Sequence, residues 1–363
     1  MPAYSSELKQ RSEGFIMYQR EYEQKLRVGI VGAGSHMYRN LLPAMHYLPM
    51  ELVAICNRGE EKLQRTLQEY RCAGYTDPAT MYKNEALDAV VICVSPQMHP
   101  SLAIQAFEHG LHVFMEKPPA MCADEVRAMI AAQGKLCASV GFKKAYMPGT
   151  VKAREIAHAP AYGNLQSMLA VYPMSMPKDG AGVLARRDFS NWLGNGCHPL
   201  SLLMSVGGRV CWVQTIVSEA GHGAVLLGFE SGIIATLQLA SGVQPPERYQ
   251  FFGDKWSLTI DNTDTVSLYR GIPFAYAYTN NFVPEGDDSG TIVWQPQNCL
   301  ATLENKSLFL QGMVQEMHTF ARSVLYGEDP GFTSLPFALE VMKVYEAALC
   351  SNGARITLAA ETK

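Results

Sequence analysis

Residues 26–57 read LRVGIVGAGSHMYRNLLPAMHYLPMELVAICN. The first six form a short apolar run that ends in glycines at 32 and 34. Helical spacing of apolar residues follows through Leu48, and a second apolar run closes at Asn57. Strand, glycine turn, helix, strand is the opening of a dinucleotide-binding unit. Gly32 permits the tight turn, and Gly34 lets a pyrophosphate approach the backbone. Ser35 and His36 begin a helix whose free N–H groups and positive dipole end favour an anion. Two positions depart from the usual pattern. Met37 stands at the third glycine position, where close helix–strand packing is normally secured. Asn57-Arg58 stand where an acid would accept the ribose 2′-hydroxyl. Without that carboxylate nothing repels a 2′-phosphate, and Arg58 can pair with one. The cofactor is therefore expected to be NAD or NADP, with Arg58 favouring NADP; the competing reading of Arg58 is a solvated helix-start residue.

The same grammar continues. GEEKLQRTLQEY (59–70), HPSLAIQAFEHG (99–110) and ADEVRAMIAAQG (123–134) read as helices. DAVVICVS (88–95), LHVFMEKP (111–118) and LCASVGF (136–142) read as strands. Uniformly apolar strands between amphipathic helices imply a parallel sheet covered on both faces, and right-handed crossovers make it doubly wound. Residues 26–145 are thus expected to be an α/β Rossmann domain. Residues 1–25 form an appendage, in which Phe15, Tyr18 and Tyr22 have the spacing of one helix face.

Beyond about residue 145 the pattern changes. VKAREIAHA (151–159) reads as a helix and NLQSMLAVYPM (164–174) as an alternating strand. Residues 175–190 read as a mobile loop, and CHPLSLLMSVGG (197–208) as a short helix. Strand-like pieces then follow one another, with Glu230-Ser231-Gly232 as a hairpin turn. Helices near 306–326 and 335–351 finish the chain. Strands without intervening helices imply a large, mainly antiparallel open sheet, so residues 146–363 are expected to be an α+β domain.

With 363 residues, 48% hydrophobic, the chain is long enough for two cores. A net charge of −4 argues against nucleic acid as a partner. No apolar run approaches the roughly 20 residues that span a bilayer. The polar N-terminus has no signal-peptide core, so a cytoplasmic location is expected. The nine cysteines have no CxxC spacing and read as free thiols. His109 and His112 lack partners at ligand spacing, so no metal site is expected.

Polar residues at the carboxyl ends of parallel strands face the ligand crevice. Glu116-Lys117-Pro118-Pro119 occupy such an end, and proline fixes the backbone so that Lys117 is held. With the glycine turn before it, this stretch resembles the glucose–fructose oxidoreductase and inositol dehydrogenase (Gfo/Idh/MocA) family. Ser95-Pro96 and His99 resemble that family's nicotinamide-side loop, and Gly141-Phe142, with basic residues and Pro148 after it, its interdomain connection. Gly196-x-His198 is similar to its second-domain motif, and LEVMKVYEAALCSNGARITL (339–358) to its closing helix and strand.

The resemblance implies NAD(P)-dependent hydride transfer between nicotinamide and a carbinol or carbonyl of a sugar, cyclitol or sugar derivative. It assigns Glu116 to the nicotinamide-side ribose, Lys117 to the reacting oxygen and His198 to acid–base work. A lysine ammonium stabilises developing negative charge, and a histidine titrates near working pH. Lys144, Tyr146 and Asn195 join Lys117 and His198 as candidate contacts to a polyhydroxylated or acidic substrate, with Lys143 beside them. The family often carries Asp four residues before the histidine and three after; here Gly194 and Ser201 stand there. Asn195 or Asp188 are the nearby substitutes. A redox-neutral NAD-dependent glycosidase and a non-catalytic NAD(P)-sensing regulator are the alternatives on the same scaffold. Relatives often pair through the open sheet face, which implies a homodimer or homotetramer using residues such as Ile234, Thr236 and Gln238.

Overall fold

A computed structural model describes residues 22–241, 247–272, 277, 283, 289–296 and 305–360. The helix expected around Phe15 and Tyr18 lies outside the described residues. Tyr22 lies inside them, and its hydroxyl donates to the Tyr47 carbonyl at 2.7 Å.

Six parallel strands form the first sheet: β1 (Leu26–Val31), β2 (Met50–Cys56), β3 (Ala73–Tyr75), β4 (Ala89–Ile92), β5 (His112–Met115) and β6 (Ala138–Val140). Their order is β3-β2-β1-β4-β5-β6. The chain reverses direction of winding between β1 and β4, which opens a crevice at the carboxyl ends there. On one face the helices His99–Glu108 and Ala123–Gln133 pack against residues such as Val90 and Val113. The other face is closed by the helix after β1 and by the late helix Met313–Tyr326. Phe320 of that late helix meets Phe114 of β5 with ring centroids 5.8 Å apart.

Strand β3 and the helix Pro78–Asn84 carry no strong apolar pattern and were not expected. The helix is set by its ends: Pro78 starts it, and Asp77 accepts from the Thr80 amide at 2.8 Å. At the third glycine position, Met37 is fully buried and begins a π turn, Met37–Leu41, before α geometry resumes at Leu42–Met45. The widened turn makes the room that a glycine would otherwise supply.

The second sheet has nine strands: β7 (Leu165–Pro173), β8 (Val210–Val217), β9 (Gly223–Phe229), β10 (Ile234–Ala240), β11 (Arg248–Gly253), β12 (Trp256–Asp261), β13 (Thr265–Gly271), β14 (Gly290–Trp294) and β15 (Ile356–Thr357). The order is β14-β13-β12-β11-β7-β10-β9-β8-β15, antiparallel except for β7 beside β10. The β9–β10 turn places Gly232 at φ +85°, as a tight hairpin demands. Along β10, Ala235, Leu237 and Leu239 are buried against the helices, whereas Ile234 and Gln238 are exposed. One face therefore packs and one stays open.

Three expectations for this half need correction. Residues 175–190 are not a bare loop: Gly180–Arg186 is helical, capped by Asp179, which accepts from the Gly182 amide at 2.8 Å. A Cβ on Gly180 would stand 2.3 Å from the Leu349 carbonyl, so that glycine serves close packing, not mobility. The helix expected at 197–208 begins at Asn191, capped by Ser190. Its glycines seat aromatic rings, since a Cβ on Gly194 would meet Phe189 at 2.7 Å and one on Gly196 would meet Trp192 at 3.0 Å. The helix expected at 306–326 is broken at Gly312, φ +82°, into Lys306–Leu310 and Met313–Tyr326. There the Lys143 carbonyl would sit 2.2 Å from any Cβ.

The eight described cysteines are free; Cys299 lies outside the described residues. No described helix is long and apolar enough to cross a membrane.

Candidate active site

Two cavities lie along the crevice, one against the first sheet and one between the sheets. The first, about 530 Å³, opens at the carboxyl ends of β1, β2 and β4. Its floor is backbone. Gly32 has φ +97°, and a Cβ there would stand 2.4 Å from the Cys93 carbonyl, so only glycine fits. A Cβ on Gly34 would meet nothing within 4 Å, so that backbone is open to a ligand. These are the two conditions that a pyrophosphate cradle imposes. Asn57 ties the loop to the end of β2: its side-chain carbonyl accepts weakly from the Ala33 amide at 3.4 Å, and its amide donates to the Gly59 carbonyl at 3.0 Å. Arg58 and Lys62 line the wall with no carboxylate among the lining residues. Ser95 lines the opposite side, and Pro96 begins the 3-10 turn beyond it.

At the end of β5 the chain turns through a cis Lys117–Pro118 peptide. His99, fully buried, has Nδ1 2.9 Å from the Pro118 carbonyl. Burial lowers its pKa, so it is a neutral donor that braces this turn from below. Its side chain, expected on the nicotinamide-side loop, has no exposed surface here and lies beneath the crevice wall. Glu116 is also buried, with Oε1 3.0 Å from His36 Nε2. The Asn40 amide donates to His36 Nδ1 at 3.0 Å, so Nε2 carries the proton that Glu116 accepts. Burial alone would raise the Glu116 pKa. The His36 bond and the charges of Lys117 and Lys143 hold it below the ordinary carboxylate range.

Lys117 Nζ donates to the Gly194 carbonyl at 3.0 Å. Gly194 precedes His198 by one helical turn, so this bond joins the strand end of the first domain to the histidine helix of the second. His198 is buried in the second cavity, about 310 Å³, with Lys143, Lys144, Tyr172, Glu247 and Gln311. Burial, then the charges of Lys117, Lys143 and Lys144, push its imidazole well below the usual histidine range. Its Nδ1 is buried with no hydrogen-bond partner.

The substitutes considered for the missing carboxylates do not act as such. Asp188 pairs with Arg186 at 2.8 Å on the surface. Asn195 is half-buried on the same helix but does not bond His198 Nδ1. Tyr146 also points away from this cavity: its hydroxyl donates to the Pro330 carbonyl at 3.1 Å and its ring packs on Phe332.

Lys144 lines this cavity, and its charge is matched. Its Nζ lies 2.6 Å from Glu247, which also accepts from the Tyr249 hydroxyl at 2.8 Å. Lys143 donates to the neutral Gln311 side-chain carbonyl at 2.6 Å, and burial brings its pKa down to about 8. Glu316, from the late helix, is fully buried with both carboxyl oxygens unpartnered. It flanks Gly141 opposite Glu116: a Cβ there would lie 3.5 Å from Glu316 Oε1 and 3.3 Å from Glu116 Oε1. Burial first, and the Glu116 charge second, raise its pKa well above the usual carboxyl range.

Sequence reasoning missed Lys62, Tyr172, Glu247, Gln311 and Glu316. Lys62 carried one usable signal, its spacing four residues after Arg58 at a helix start. The others come from three separate parts of the chain, β7, the start of β11 and the break at Gly312, that only the fold assembles.

Residues 26–142 match the family described as "Oxidoreductase family, NAD-binding Rossmann fold". A dTDP-3,4-didehydro-2,6-dideoxy-alpha-D-glucose 3-reductase of Saccharopolyspora spinosa is 22% identical over 66% of this chain and 76% of its own length. D-glucoside 3-dehydrogenase of Escherichia coli is 34% identical over 31% of this chain and 32% of its own. Among solved structures, a dehydrogenase from Chromobacterium violaceum superposes with a TM-score of 0.75 at 20% identity, covering 91% of this chain and 96% of that one.

Proposed function

We propose that this chain, whose residues 26–142 match an NAD-binding oxidoreductase family, is a member of the glucose–fructose oxidoreductase and inositol dehydrogenase family and transfers a hydride between nicotinamide and a carbinol or carbonyl carbon of a sugar, cyclitol or sugar derivative. The observation that carries this reading is the Lys117–Gly194 bond. It sets a cation from the cofactor-side strand end beside the helix that bears His198.

The cofactor would rest on the Gly32–Gly34 backbone and the helix start at Ser35 and His36, with Glu116 on the nicotinamide-side ribose. When bound, nicotinamide supplies or accepts the hydride. Lys117 exchanges the Gly194 carbonyl for the substrate oxygen and stabilises its negative charge. In the oxidation direction, His198 accepts the hydroxyl proton; its depressed pKa keeps it neutral beforehand and makes it a weaker base than a free imidazole. Among the described residues no partner bonds His198 Nδ1, and the Tyr172 ring packs beside the imidazole with its centroid 6.3 Å away.

NADP is the proposed cofactor. Arg58 and Lys62 stand in the cleft wall where a 2′-phosphate would lie, and no acid opposes them. The chain is further proposed to form a homodimer or homotetramer through its open sheet face, where Ile216, Ile234, Tyr269 and Val293 are each about half exposed.

The test is turnover of a sugar and cyclitol panel with NAD and NADP, read by absorbance of the reduced nicotinamide. Net reduction of the cofactor supports a dehydrogenase; product formation without it favours the glycosidase reading. A purified protein with no affinity for either nucleotide sinks the proposal.

A further inference from the structure

The cavity between the sheets is unevenly charged. Lys144 has its counter-ion in Glu247, and Glu247 is completed by the Tyr249 hydroxyl. Glu116 is engaged by His36 and by the Lys117 amide, at 3.0 and 3.2 Å. Glu316 lies behind Gly141, where burial raises its pKa well above the usual carboxyl range, and it makes no ion pair with Lys143. His198 is neutral. Lys117 and Lys143 remain, and each touches only a neutral acceptor. Lys117 has a task at the reacting oxygen. Lys143 has none in the reaction, and no carboxylate among the described residues comes within ion-pair distance of it.

Burial first, and the charge of neighbouring Lys144 second, bring the Lys143 pKa down to about 8 although Glu316 and Glu116 pull the other way, because neither carboxylate reaches it as an ion pair. Gln311 fixes its direction without neutralising it, and two of its three N–H donors stay available. The cavity, about 310 Å³, is at the small end of ligand pockets, of roughly 300–1,000 Å³, and suits a single monosaccharide.

On the reading that this crevice oxidises or reduces a sugar, we propose that the sugar is an acid, and that Lys143, aligned by Gln311, receives its carboxylate. The same molecule presents a hydroxyl or carbonyl to Lys117 and His198. Lys143 is thus a specificity-determining residue: it selects the charged substrate and takes no part in the hydride step.

The test measures turnover and binding of matched pairs by the NADP-loaded protein: D-glucuronate against D-glucose, and D-galacturonate against D-galactose, with glucose 6-phosphate as a third arm. The acids should be preferred by about tenfold or more in kcat/KM, or in affinity where no turnover occurs, the size of one charge-assisted hydrogen bond. Lys143→Met should erase the preference while retaining NADP binding, which reports an intact fold. The wild-type preference should fall as pH rises through about 8, when Lys143 loses its proton. Lys143→Arg should keep it, because arginine stays charged. Equal use of acid and neutral partners, no binding of either acid, an unchanged preference in Lys143→Met, or a stronger preference for glucose 6-phosphate would each overturn the proposal. A wild-type protein that binds neither NADP nor NAD would instead strike the oxidoreductase reading.

Discussion

The two halves of the crevice are built from different materials. The cofactor half is backbone: a glycine at φ +97°, an open Gly34 and a helix start, all within one strand–turn–helix unit. The substrate half is side chains delivered from separate places: the end of β5, the turn at Lys143–Tyr146, β7, the helix Asn191–Gly207 and the break at Gly312. A backbone site works for any chain that can make the turn, so it tolerates Met37 in place of a glycine. A side-chain site depends on identity and charge, so it is where this chain can differ from its relatives. The absence of Asp at 194 and 201 and the unmatched Lys143 are both found there.

The largest effects should come from the junction. Lys117→Ala should lower kcat about 10³-fold, as expected for a lost stabiliser of developing charge, while nucleotide affinity stays near wild type. His198→Ala should lower kcat by roughly 10²–10⁴-fold. A raised KM with unchanged kcat in either variant would make that residue a binding group. Next comes a contrast within the backbone half. Gly32→Val forces a branched side chain into positive φ against the Cys93 carbonyl and should destabilise by about 3 kcal/mol, with nucleotide binding lost. Gly34→Ala should melt like wild type yet bind nucleotide more weakly. Equal melting temperatures for Gly32→Val and Gly34→Ala would break the backbone account. Arg58→Ala combined with Lys62→Ala should weaken NADP about 10-fold or more and leave NAD nearly unchanged; equal losses would remove the 2′-phosphate assignment.

The smallest effect is at Glu316. Its folded pKa is raised, so the folded chain holds a proton that the unfolded chain releases from about pH 4 upward. The stability tied to that proton is fully present below the unfolded pKa and is lost as pH rises through the folded one. Glu316→Gln should therefore gain on wild type, by a few degrees of Tm, between about pH 5 and 8. A constant difference across that range would mean the carboxyl is already ionised and paired.

Much of the first domain was legible because its strands are continuous apolar runs and its turn chemistry is local. Gly32, Gly34, Asn57 and Arg58 could be placed from the turn and from the end of the second strand. Strand β3 escaped because three residues, Ala73–Tyr75, carry no periodicity. In the second domain glycine misled. Gly180, Gly194 and Gly196 resemble helix breakers in a sequence, yet in the fold each admits a close neighbour. His99 and Tyr146 stood at the right positions along the chain, but one is buried beneath the Lys117–Pro118 turn and the other turns toward Pro330. Side-chain direction at such places is decided by tertiary packing. The Lys143–Gln311 pair spans 168 positions, and no local pattern could have announced it.

A crystal structure of the chain with NADP would decide the central claim most directly. The account predicts the pyrophosphate over Gly34, the 2′-phosphate against Arg58 and Lys62, and the nicotinamide ring at the end of β5 within reach of Lys117 and His198. A nicotinamide lodged away from Lys117, or a crevice that closes without admitting the nucleotide, would contradict it.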